Sequence, residues 1–191
     1  DSTDTDGADG ADALSGLEAT LVPWLQELLL LYTEDNATVG AVVRLCVAAL
    51  QTPEDWAALL TAIQSAAQTP EPFAECLTAA AAAAKTKKGS SKAIYGHPEL
   101  VGAILLQYTE RAVEEAGSHR AVVRALTCAV SAAEPMVDAV TMEAIAAILL
   151  DALEKKEKKV NTGFLLDAAG AVVRYFLRAQ DVLAEAVHPL L

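Results

Sequence analysis

Apolar residues along this chain recur at intervals of three and four, and no run alternates apolar with polar positions between turn signals. Val39, Val42, Val43, Cys46 and Leu50 fall on one side of a helix, as do Val122, Val123, Leu126 and Val130. A helix standing alone cannot shelter so wide a stripe, so each such segment needs neighbours. The pattern predicts an all-α protein of short, mutually packed helices.

Proline, glycine and small polar residues divide the chain into about nine or ten such segments. Ala11 to Thr20 reads as helical, and Pro23 opens a second helix through Leu31 that carries Trp24, Leu25, Leu28 and Leu29. Ala37 to Gln51 follows the break at Asp35-Asn36. Thr52-Pro53-Glu54-Asp55 is a compact start signal: a capping hydroxyl, a proline where no donor is lost, and acids at the positive end of the helix dipole. Thr69-Pro70-Glu71-Pro72 repeats the device ahead of a helix from Phe73 to Lys85. Further helices are expected from His97-Pro98 to about Glu115, from the Gly117-Ser118 stop and cap to about Ala133, and from Pro135 to about Lys156. One more runs from Asn161-Thr162 to Ala179, and a last short one starts at Asp181.

Repetition sharpens this picture. The tetrapeptide Ala-Val-Val-Arg occurs at Ala41 to Arg44, Ala121 to Arg124 and Ala171 to Arg174. Tyr32-Thr33-Glu34 precedes the first copy as Tyr108-Thr109-Glu110 precedes the second, and Pro53 and Pro135 follow 12 and 14 residues after the start of each. The ordered set predicts a duplicated helical unit whose copies bury their stripes by stacking in series.

With proline near helix starts and a second helix that opens Val-Arg and continues with small residues, as in Val43-Arg44-Leu45-Cys46-Val47-Ala48-Ala49-Leu50, residues 21 to 190 resemble the HEAT and armadillo superfamily of α-solenoids. HEAT units carry an acid a little upstream of that arginine. Here Asp167 stands seven residues before Arg174 and Asp35 nine before Arg44, while the second copy has Ser118 in that region. The resemblance implies short antiparallel helix pairs stacked as a right-handed superhelix. It also implies a scaffold or adaptor, or a subunit of a larger assembly, that binds a partner segment along the helical groove. The alternative architecture is a compact alanine-rich bundle of the cytoskeletal-adaptor type, similar to talin or vinculin rod domains. An all-α enzyme or small-ligand carrier is the third reading.

Composition supports helix: 40 of the 191 residues are alanine, which loses no side-chain entropy in a helix. The formal charge of −12 argues against nucleic-acid binding, which needs clustered lysine and arginine. Five aspartates fall within residues 1–12, read as a disordered acidic tail. Residues 13–84 and 97–191 then form the two halves of the helical array, joined by a basic linker over 85–96. The longest nearly apolar run, Leu77 to Ala84, is too short to enter and cross a bilayer. Cys46, Cys76 and Cys128 are odd in number and form no CxxC pair, which suits a reducing, intracellular compartment such as the cytoplasm.

Candidate chemistry is sparse. No phosphate loop, dinucleotide fingerprint, zinc-protease motif or nucleophile elbow occurs, so the chain is not expected to be an enzyme or to hold a metal or cofactor. His97 and His188 stand before prolines as turn and end residues, and His119 reads as an ordinary surface histidine at a helix start. The three cysteines read as small core residues. Trp24, Trp56, Phe73, Tyr95, Phe164, Tyr175 and Phe176 are expected to anchor packing layers, and any left exposed would mark an interface. Arg44, Arg124 and Arg174 are the candidates for gripping an acidic partner, although a structural ladder of arginines bonded to acids in the next unit is the plainer reading. Lys87 and Lys88 in the linker, beside Ser90 and Ser91, are a second docking candidate and otherwise a solvated hinge.

Overall fold

In the computed structural model, residues 23–25, 27–29, 36–49, 52–86, 97–115, 117–132, 136–155 and 161–187 are described. They are helical wherever they are regular, with no strand among them. After helical turns at 23–25 and 27–29 come α1 (Asn36–Ala49), α2 (Pro53–Ala66), α3 (Glu71–Thr86), α4 (Pro98–Glu114), α5 (His119–Ser131), α6 (Ala139–Lys155) and α7 (Thr162–Val187).

The start signals act locally as chemistry requires. Thr52 caps α2 in a reciprocal box: its Oγ accepts from the Asp55 amide at 3.2 Å, and its own amide donates to Asp55 Oδ2 at 3.0 Å. For α6, Asp138 is the cap, its Oδ1 accepting from the Thr141 amide at 2.7 Å and its Oδ2 from the Thr141 hydroxyl at 3.1 Å. That helix therefore begins at Ala139, beyond the Pro135 start expected from sequence. Ser118 precedes α5 but makes no capping bond through its side chain.

The expected break before Asp181 is absent. Backbone hydrogen bonding carries α7 through it as one 26-residue helix, because no glycine or proline stands there to stop it. Similarly α3 runs on to Thr86, into the first two residues assigned to the linker. Lys87, Lys88, Ser90, Ser91, Tyr95 and His188, and the acidic residues 1–12, lie outside the described residues.

Helices pack in an alternating order. α1 lies on α3, α3 on α5 and α5 on α7, while α2 lies on α4 and α4 on α6. Consecutive helices join the two series, through α2 with α3, α4 with α5 and α6 with α7. Each odd helix thus has its chain neighbours in the other series and its packing mates two elements away. Among the described residues α1 and α7 share no extended packing.

One apolar core runs through every helix without a break at the linker. Trp56, Leu59, Leu60 and Ile63 of α2, Phe73 and Leu77 of α3, Ile104 and Leu105 of α4, Leu126 of α5 and Met142 and Ile145 of α6 are essentially inaccessible. Alanines at 121, 125 and 129 make one side of α5 small, so its neighbours approach closely. Thr109 is the buried polar residue of this core, and its hydroxyl donates to the Leu105 carbonyl at 2.8 Å. Trp24 departs from the expected anchoring role, being half exposed while Leu25 and Leu29 beside it are buried.

Candidate functional site

The three Ala-Val-Val-Arg copies all fall on odd helices, and each presents its arginine on the exposed side. The first valine of each copy, Val42, Val122 and Val172, is buried, so the three segments sit in matching orientations. On α3, the odd helix without a copy, Glu75 occupies the level of the arginines and links two of them. Its Oε2 accepts from Arg44 Nη1 at 2.9 Å and its Oε1 from Arg124 Nη1 at 2.8 Å. One carboxylate thus ties α1, α3 and α5 together.

This is the structural ladder for Arg44 and Arg124, with one shared acid in place of one acid per unit. Glu75 is only 20% exposed at its side chain, whereas Arg44 and Arg124 are 53% and 43% exposed. Screening by water holds each pair to about 1 kcal/mol or less, and each guanidinium keeps open donors toward solvent. Arg174 differs: it is exposed and has no ion pair or hydrogen bond among the described residues.

Arg120, one turn before Arg124, is a residue the sequence did not single out. It is exposed and unpaired among the described residues, and it lines two surface pockets at once. One, of about 360 Å³, lies between α3 and α5 with Glu71, Glu75, Ala121 and Arg124. The other, of about 260 Å³, lies between α5 and α7 with His119, Val123, Asn161, Gly163, Phe164 and Asp167. Arg120 therefore projects at the junction of a surface that spans three odd helices. A planar guanidinium in such a place binds a carboxylate or phosphate through two parallel hydrogen bonds.

His119 is more constrained than a surface histidine. Its ring stacks on Phe164 of α7, with centroids 4.4 Å apart and planes 14° from parallel, and its Nε2 donates to the Ala112 carbonyl of α4 at 2.8 Å. It pins three helix ends together and shapes the second pocket. Arg178 plays a comparable part: it donates to the carbonyls of Val130 and, at 2.9 Å, Ala132, closing the carboxyl end of α5 onto α7.

The cysteines are core residues. Cys46 and Cys76 are buried thiols on α1 and α3, and Cys128 is half-buried with its Sγ 3.4 Å from the Thr78 hydroxyl. Burial pushes both the Cys46 and Cys76 thiols up from the ordinary range, and for Cys76 the neighbouring Cys46 adds to the effect. Among the described residues no three His, Cys, Asp or Glu side chains are placed to hold a metal.

A raised folded-state value means the folded protein keeps a proton that the unfolded chain gives up. Stability from these two groups is therefore fully present below the ordinary thiol range, about 8.5, and is lost as pH rises above it. Urea midpoints should fall between neutral pH and about pH 10, and Cys76→Ala should flatten that fall relative to its own neutral value. An identical slope in the variant would contradict the assignment. In the folded protein a thiol reagent should modify Cys128 well before Cys76.

Among the described residues no helix is long and apolar enough to cross a membrane. Comparison with protein-family models, curated proteins and solved structures finds no match for this chain.

Proposed function

We propose that this chain is a protein-interaction scaffold or adaptor, built as a right-handed α-solenoid of the HEAT and armadillo kind, that holds an acidic segment of another protein across its odd helices. The observation that carries the reading is the surface around Arg120. Two pockets meet there, and Arg120 keeps its donors while Glu75 already occupies Arg44 and Arg124. On a chain of charge −12, five of the six arginines lie on this one series of helices. A partner carboxylate meets attraction there and repulsion over most of the remaining surface.

The alternating packing, in which each odd helix lies on the odd helix two elements further on, supports the stacked architecture. Free cysteines, two of them buried, suit work in a reducing compartment of the cell.

Fluorescence anisotropy with a panel of acidic peptides tests the proposal. Binding should weaken steeply with salt and fall roughly tenfold or more in Arg120→Glu, which leaves the core untouched. Arg44→Glu and Arg124→Glu should lower both binding and stability, because each also breaks a bond to Glu75. Peptide binding that ignores Arg120→Glu, in protein of unchanged circular dichroism, would overturn the reading.

A further inference from the structure

We infer that the outward face of α7 pairs with the same face of a second copy of this chain. The repeated motif points to the face. Its second valine is fully buried in α1, where Val43 is 0% exposed, and half-buried in α5, where Val123 lines the pocket against α7. In α7 the equivalent Val173 is 55% exposed. α1 and α5 are each followed by another odd helix that packs on them, and α7 is followed by none among the described residues. The position is covered to the extent that a next helix lies there.

Val173 is not isolated. Leu166 and Leu177, 63% and 55% exposed, lie seven residues before it and four after, with Gly170 between. These spacings put all four on one side of the helix, opposite the buried Phe164, Ala168, Ala171 and Tyr175. α7 is therefore apolar on two opposed sides, and among the described residues only one of them is covered by other helices. At Gly170 a methyl group would meet nothing nearer than Arg174 Nη1 at 3.8 Å, so the middle of the stripe is open to close approach by another backbone.

Charge selects a second copy as the occupant. Asp167 and Arg174 flank the stripe on the same edge, seven residues or about two turns apart, and neither has a bonding partner among the described residues. When two such helices pack antiparallel about a two-fold axis near residue 171, like edges face each other. Asp167 of one copy then meets Arg174 of the other, and the pair forms twice. The same register sets Gly170 against Val173 and Leu166 near Leu177 across the axis. A different helix would need an acid and a base of its own at matching spacing, and a copy of α7 already has both.

Sedimentation equilibrium of the intact chain tests this. A dimer that dissociates on dilution is expected, and Val173→Glu should leave only monomer with unchanged helicity. Asp167→Arg and Arg174→Asp should each weaken the dimer by roughly tenfold, since each sets like charges together in both symmetry-related pairs. The Asp167→Arg, Arg174→Asp double variant should restore it, and an equimolar mixture of the two single variants should form a mixed dimer. A chain that is monomeric at every concentration, or a dimer unaffected by Val173→Glu, would overturn the inference. Should Val173→Glu disturb the fold, the two exposed charge positions decide alone: a double variant no tighter than the singles sinks it.

Discussion

Phe73→Ala is expected to lower stability by about 3–5 kcal/mol, among the largest effects of any single truncation in this protein. Phe73 is wholly buried on α3, the helix that lies against α1, α2 and α5, and its ring sits 6.0 Å from that of Tyr108 on α4. Removing it opens a cavity in the core where α3 meets α4, and a core already at crystal-like density relaxes only in part. Against a total of about 5–15 kcal/mol the loss is severe, and a chain of this length should melt about 10 °C or more lower. Thermal and urea unfolding check it, and Phe73→Leu should recover more than half. Burial also raises the Tyr108 hydroxyl above its ordinary value, so the tyrosine should ionise at lower pH in the alanine variant. A melting shift under about 3 °C would mean that Phe73 does not fill a tightly packed site.

That residue also ties stability to the candidate surface. Glu75 lies two positions on from Phe73, so the packing that fixes α3 also fixes the carboxylate between Arg44 and Arg124. Loosening α3 should therefore free both guanidinium groups. Peptide binding in Phe73→Ala then reports whether the arginine surface needs a rigid base.

Much of this was legible in the sequence, and the reasons are physical. Helical spacing and alanine content announce an all-α chain because they act within single segments. The capping box at Thr52 and Asp55 is local in the same sense, four residues that need no tertiary context. The repeated Ala-Val-Val-Arg pointed to equivalent positions, and all three copies do fall on odd helices. Glu75 was not legible, because its role depends on which helices become neighbours 31 and 49 residues away. One signal existed: α3 follows the motif's spacing with Phe73-Ala74-Glu75 where the others have Val-Val-Arg, an acid replacing the base between two bases. Arg120 was hidden for the same reason, since a pocket between helices leaves no mark in either one. The stop placed before Asp181 failed because a capping residue signals a start only where the preceding helix has cause to end.

Gly102→Leu should destabilise by about 3 kcal/mol, and its pattern of damage is more informative than its size. Gly102 is buried in α4 where α6 crosses it, and even a methyl group there would stand 2.6 Å from Thr141 Oγ1 and 3.0 Å from its Cγ2. Thr141 cannot swing aside freely, because its amide and hydroxyl both engage Asp138 at the start of α6. Alanine at 102 should already destabilise, despite the helix propensity it adds, whereas Gly117→Ala, with nothing within 4 Å, should be neutral or slightly stabilising. In a serial stack each element leans on its near neighbours, so prying α6 from α4 should loosen α6 and α7 and spare α1 and α2. Hydrogen exchange reads this directly: amides of α6 and α7 should lose protection in Gly102→Leu while those of α2 keep theirs. Uniform loss across all helices would instead mark a single cooperative bundle, and would refute the stacked architecture on which the proposed docking surface is built.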